Sequence, residues 1–311
     1  MVDELKASAI DLILFAGQSN MAGRGDAAET APCEAFMGRE FRAVSDPAGL
    51  YPIREPFGIK ENNRDGMDDG RKKTGGMVCA FVRKYYELTG HAVIAVSASK
   101  GGSSSARWVK TYAADAAMRL RRARAYLEAE RIKIAHTYVL WSQGETDGDK
   151  GLDARQYFES FQAIWSILRE AGAEKCFLVQ TGHFNYVKYP RGAKGIKGAE
   201  LDRRYEVIRR TQERMCVDAR EGSGRREKGE FPAICGEEGL LRTDLAGYVN
   251  ADTVTCLPDV YMVAGFEPYL GMMKDLYHYR QQAYNEVGET AAGNMAAVIL
   301  KDFGYNEGDG S

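Results

Sequence analysis

Four short stretches of this 311-residue chain hold residue types that can do chemistry together: Gly17-Gln18-Ser19-Asn20, Lys100-Gly101-Gly102-Ser103, Ser142-Gln143-Gly144-Glu145-Thr146-Asp147 and Asp275-Leu276-Tyr277-His278. The chemistry they suit is acyl transfer. A serine hydroxyl is a weak nucleophile until a base takes its proton. Ser19 supplies the hydroxyl and His278 the imidazole. Asp275, three residues before His278, can reach the other ring nitrogen in a tight turn or at a helix start, fixing the tautomer and stabilising the imidazolium. The oxyanion that develops needs preorganised donors, each worth roughly 2.7–4 kcal/mol. The backbone N–H of Ser19, the backbone N–H of Gly102 and the side-chain amide of Gln143 are the candidates.

Each assignment has a plainer counterpart. Gly, Ser and Asn after Leu12–Ala16 also spell an ordinary turn. Asp275 suits a helix N-terminus through the dipole alone. Gln143 can serve as a loop brace instead of a donor, and Glu145 can structure its loop by a salt bridge. Asn20 either holds its loop or lines the site. The chain has four histidines. His91 opens a strand, His136 sits inside one and reads as structural, and His183 follows one. His278 is preferred to His183 as the base. Trp108 reads as a core residue ahead of a sugar platform.

These stretches need elements to position them. Continuous apolar runs at 12–17, 92–98, 134–141, 175–182 and 259–265 read as strands covered on both faces. Helix-like segments at 77–89, 112–129, 154–171, 199–217 and 279–302 alternate with them. The alternation implies an α/β fold with a mostly parallel sheet between helical layers. Ligands in such folds sit beyond the carboxyl ends of the strands, where the four stretches fall. Residues 24–75, 186–200 and 220–240 break the rhythm and read as loops on one domain spanning 1–311.

Composition narrows the classes. Hydrophobic residues are 44% and charged residues 28%, with a net charge of −2. That leaves no basic field for nucleic acid; the local basic runs 71–73 and 188–228 are broken by Gly and Glu. No apolar run has the length of a membrane span. Six cysteines without a C-x-x-C pair argue against a zinc knuckle. Cys79 and Cys176 read as buried thiols. MVDELKASAI has no leader pattern, which suggests a cytoplasmic protein, or a secreted one if a leader has been trimmed.

The blocks GQSNMAGRG, GGSSSARW, WSQGETD and DLYH, in that order, resemble the SGNH hydrolase superfamily. Within it they are most similar to the branch holding carbohydrate esterase family six (acetyl xylan esterases) and sialate O-acetylesterase-like proteins. The likeness spans Leu12 to about Gly288. It implies a three-layer α/β/α, flavodoxin-like fold, acetylated carbohydrate of xylan or sialic acid type as substrate, and no metal or organic cofactor. It matches Ser19 to the nucleophile, His278 to the base, Asp275 to the acid, and Gly102 and Gln143 to oxyanion donors. Glu145 matches a glutamate proposed in some relatives to orient the histidine; Asp275 is preferred here for its local spacing. Ser142 stands where the branch usually has histidine.

Two rivals remain open: a lipid or thioester substrate on the same machinery, and a carbohydrate-binding protein without turnover. A dinucleotide site is rejected. Gly23-Arg24-Gly25-Asp26-Ala27-Ala28 fits G-x-G-x-x-A, with Asp46 downstream, but Ser19 and its neighbours occupy the strand-to-helix turn that the glycines would need. No G-x-S-x-G elbow is present, because Met21 replaces the second glycine.

Overall fold

The computed structural model describes residues 9–220 and 254–302. Its eight strands are β1 (Ile10–Gly17), β2 (Gly38–Arg42), β3 (Asp46–Pro52), β4 (Ala92–Ser99), β5 (Ile134–Ser142), β6 (Lys175–Gln180), β7 (Val217–Asp218) and β8 (Val260–Gly265). They form one sheet in the order β3-β2-β4-β1-β5-β6-β8-β7. Every neighbouring pair is parallel except β2 with β3. The helices are α1 (Ser19–Ala22), α2 (Val78–Thr89), α3 (Ala113–Ala129), α4 (Glu145–Lys150), α5 (Ala154–Glu170), α6 (Gly198–Met215) and α7 (Gln281–Asp302). A helical turn at Ser105–Arg107 and a π-helical turn at Trp108–Tyr112 lead into α3.

The sheet divides the interior in two. Side chains alternate across a strand, and β1 is buried along its whole length because both of its faces are covered. Leu12, Leu14 and Ala16 pack with α3 and α5 through residues such as Leu120, Tyr157 and Phe161. Ile13 and Phe15 face the other way, onto Phe81 and Val82 of α2 and Tyr284 and Val287 of α7. The result is a three-layer α/β/α arrangement. Local signals set the helix ends: Gly90 closes α2 at φ 69°, donating to the Tyr86 carbonyl, and Asp153 with Gln156 forms a capping box on α5.

The five strands read from the sequence are present, with ends shifted by a residue or two. Two expectations need correction. Residues 24–75 are not loop throughout: β2 and β3 form an antiparallel hairpin that extends the sheet. β3 carries Pro47, Gly49 and Pro52 and is partly exposed; proline survives there because an edge strand has unpaired positions. The helix expected over 199–217 stops at Met215, and Val217 enters β7. Residues 1–8, Cys235 and nearly all of the expected 220–240 loop lie outside the described residues. Cys79 and Cys176 are buried free thiols, and Trp108 is a core residue in edge contact with Trp141. No helix among the described residues is long and apolar enough to cross a membrane.

Candidate active site

The turn after β1 is stitched to both neighbouring strands. Gln18 N–H donates to the Ser142 carbonyl (2.8 Å) and Lys100 N–H to the Gly17 carbonyl (2.9 Å). Gly17 has φ 142°, and a Cβ there would lie 2.0 Å from the Ser142 oxygen, so only glycine fits. The chain then makes the single turn of α1, with Ser19 as its first residue. The Gln18 side-chain oxygen accepts from the backbone N–H groups of Gly144 and Thr146, both at 3.3 Å. Gln18 is thus a brace between the first and third stretches. Ser142 lies buried beneath this turn.

Asn20 is buried and joins three stretches. Its amide donates to the Glu145 carboxylate (2.5 Å) and to the Tyr277 carbonyl (3.2 Å), and its oxygen accepts from the Tyr284 hydroxyl (2.7 Å). The residue after Ser19 therefore grips the residue before His278, across more than 250 positions of chain. This places the serine and histidine stretches side by side. These bonds tie the loop of Asn20 to Glu145, Tyr277 and Tyr284.

The Asp275–His278 stretch is a tight turn ahead of α7. One Asp275 oxygen accepts from the backbone N–H groups of Tyr277 (2.8 Å) and His278 (2.9 Å), and the other contacts His278 Nδ1 at 2.9 Å. Among the described residues, His278 Nε2 and the Ser19 hydroxyl have no hydrogen-bond partner. The turn is clamped from outside: Asn185 donates to the Asp275 carbonyl (2.9 Å) and Lys188 to the Met273 carbonyl (2.7 Å). Burial pushes the Asp275 carboxyl up, but the imidazole hydrogen bond and the two amides outweigh it and hold it at about 2.

Glu145 lies behind this pair, fully enclosed. Burial raises its carboxyl, opposed by the Asn20 hydrogen bond and the nearby His278 imidazole. One of its oxygens has no partner among the described residues. Geometry thus gives Asp275 the direct contact with His278 and gives Glu145 a place beside it.

The oxyanion candidates divide. Gly102 has φ 67°, with open space where a Cβ would stand. Gln143 is different: its amide group donates to the Asp147 carboxylate and to the Ser103 carbonyl (3.1 Å). Both amide hydrogens thus have acceptors within the neighbouring loops, as a brace requires. Asp147 in turn accepts from Ser105 N–H (2.9 Å), tying the third stretch to the second.

Two residues that support the glycine loop escaped the sequence reading. Asp69, its carboxylate fully enclosed, accepts from Gly101 N–H (2.9 Å) and from Arg24 (2.7 Å). Buried Lys73 donates to the hydroxyls of Ser97 and Ser99, both at 2.8 Å, and burial lowers its ammonium to about 8. Both come from the stretch read as loop, and the only sequence signal was their charge among glycines. His183 pairs with Asp202 at 3.0 Å, while His91 and His136 lie at the far end of the sheet, against Asp11.

A family model described as "Carbohydrate esterase, sialic acid-specific acetylesterase" matches residues 9–228. Asp275 and His278 lie beyond that match. Among solved structures, the chain is similar to a protein from Arabidopsis thaliana: 16% identity over 94% of this chain and 98% of that one, with a TM-score of 0.57. It is also similar to a carbohydrate acetylesterase from Xanthomonas citri, at 15% identity over 94% and 57% of the two chains, TM-score 0.46. A member of the lipolytic G-D-S-L family from Veillonella parvula aligns at 10% identity over 94% and 100%, TM-score 0.37. No curated protein sequence matches.

Proposed function

We propose, from the premise that this chain belongs to the carbohydrate esterase family of sialic acid-specific acetylesterases, that it removes O-acetyl groups from sugars through Ser19, His278 and Asp275. The protein is a carboxylic ester hydrolase. The observation that supports the assignment of residues is the Asn20 bridge, which joins the residue after Ser19 to the residue before His278, a histidine held by a carboxylate.

In this reading the Ser19 oxygen attacks the acetyl carbonyl carbon, and its proton passes to His278 Nε2. Asp275 holds Nδ1–H and stabilises the imidazolium. The tetrahedral oxyanion is met by the backbone N–H groups of Ser19 and Gly102. His278 then gives its proton to the sugar oxygen as the carbon–oxygen ester bond breaks. Water attacks the acetyl-enzyme, again losing a proton to His278, and acetate and free Ser19 result. Gln143 and Asp69 keep the glycine loop in place, and Lys73 holds the end of β4 before it.

The test is acetate release from p-nitrophenyl acetate, acetylated xylan and O-acetylated sialic acid by wild type and Ser19→Ala. Ser19→Ala should lose at least about 10⁴-fold in kcat; equal rates in both would end the proposal. Preference between the two sugars assigns the substrate. A preference for butyryl or longer esters over acetyl would favour the lipid reading instead.

A further inference from the structure

A second histidine–carboxylate cluster lies at the opposite end of β1 from Ser19. Asp11 is fully buried. His91 Nδ1 is 2.9 Å from one of its oxygens and His136 Nδ1 is 3.1 Å from the other. The two imidazoles face each other in parallel, 7° between planes and 6.4 Å between centroids, with the carboxylate serving both. The Tyr85 hydroxyl donates to Asp11 at 2.5 Å.

The backbone makes this convergence. Asp11 stands opposite His136 in the β1–β5 register, and a register shift between Ile10 and Asp11 sets that pairing. A bulge of this kind re-aims a side chain. Ala92 N–H donates to the Ala9 carbonyl (3.0 Å), which fixes His91 at the mouth of β4 on the other side. Three adjacent strands thus each deliver one donor.

We propose that Asp11, His91 and His136 form a binding site for one divalent first-row metal ion, with Zn²⁺ the best match to two imidazoles and one carboxylate. The ligand atoms lie within 4.8 Å of one another, and Zn–N and Zn–O bonds of roughly 2.0–2.2 Å need only a small rotation of the rings. The rings are 23% and 22% exposed, while Asp11 is fully buried. On binding, each ring gives Nδ1 to the ion and keeps one proton, on Nε2, any second proton passing to solvent. Tyr85 goes on holding the carboxylate, the usual duty of an outer-shell donor. Three protein ligands leave a fourth position for water. The ion would pin β1 to β4 and β5 at the end of the sheet away from the ester chemistry. This proposal is independent of the esterase assignment.

The experiment uses the full chain, stripped with a chelator and titrated calorimetrically with Zn²⁺ alone. One equivalent should bind, and saturation at about a hundredfold excess over Kd should raise Tm by roughly 5–10 °C. His91→Gln and His136→Gln, which keep a hydrogen-bond donor toward Asp11, should each lose at least about 100-fold in affinity, with unchanged metal-free ester turnover. His183→Gln should bind as wild type does. No saturable binding by wild type, or unchanged affinity in both His91→Gln and His136→Gln, overturns the site. If those variants fail to fold, Co²⁺ added to wild type decides. An intense low-symmetry visible spectrum supports the site, and the weak spectrum of the hydrated ion overturns it.

Discussion

Both ends of β1 carry a histidine held by an aspartate, yet the two pairs are built differently. At the carboxyl end, Asp275 serves a single imidazole, and its other oxygen is occupied by two backbone amides of its own turn. The Tyr277 carbonyl just before His278 is held by Asn20, the residue after Ser19. At the amino end, both oxygens of Asp11 are taken up by side chains, two imidazoles and a phenol. The one hydroxyl on this carboxylate, that of Tyr85, is donated to Asp11 itself. The Asp275 side chain is 43% exposed and that of Asp11 is 0% exposed. A carboxylate that orients a catalytic base can stay wet, because its partner must reach substrate. A carboxylate on which three strands converge is sealed. The histidine–aspartate pair alone does not define a catalytic centre; the group beside the free ring nitrogen does.

Four measurements would break or sharpen this contrast. The largest effect is expected from Asp275→Asn, which should cut kcat for p-nitrophenyl acetate by about 10²–10⁴-fold through loss of the tautomer and of imidazolium stabilisation. Glu145→Gln should cost less than about tenfold, because its oxygen can still accept from Asn20. A larger loss in Glu145→Gln than in Asp275→Asn would transfer the orienting role to Glu145.

Asn20→Ala should come next. It removes the bridge to Tyr277 and Glu145 and leaves the Tyr284 hydroxyl without its acceptor. Loss of about 10–10²-fold in kcat is expected, together with about 1–3 kcal/mol of stability. Unchanged kcat would mean that Ser19 and His278 find each other without it.

Lys73 gives a stability effect. Its ammonium titrates at about 8 in the folded protein against 10.5 as the reference. The buried charge therefore destabilises fully below about pH 8, and the penalty is relieved as pH rises from 8 toward 10.5. Denaturant unfolding should show up to about 3 kcal/mol of that relief across this window in wild type and none in Lys73→Met. A flat difference between the two would refute it.

The smallest effect belongs to Asp275. Its folded value of about 2 lies below the reference 3.8, so the stabilisation is complete above about pH 4 and disappears as pH falls through 2. The pH dependence of unfolding in wild type minus that in Asp275→Asn should show this loss only below about pH 4. A difference extending to neutral pH would mean that the carboxylate is held by something other than its own turn.

Legibility followed the distance over which each feature is encoded. The parallel strands were readable because a strand covered on both faces is a continuous apolar run, as in Leu12–Ala16. The β2–β3 hairpin was not, because an edge strand can hold Pro47 and Pro52 and so resembles a loop. The Asp275–His278 contact was readable because a three-residue spacing closes in one turn. The roles of Asp69, Lys73 and Asn20 were not. Their partners lie between 24 and 264 residues away, and no local pattern links an aspartate at 69 to an amide at 101. Gln143 shows the same limit: its type suited an oxyanion donor, and nothing local disclosed its bonds to Ser103 and Asp147.

The sequence by itself determined which residues exist for chemistry and which strand ends carry them, because periodicity and turn residues are local properties. Only the tertiary structure decided which of those residues meet. Asn20 could grip Tyr277, and His91 and His136 could share Asp11, only once parallel pairing had set each strand's register. A shift of one residue in that register turns every side chain to the other face.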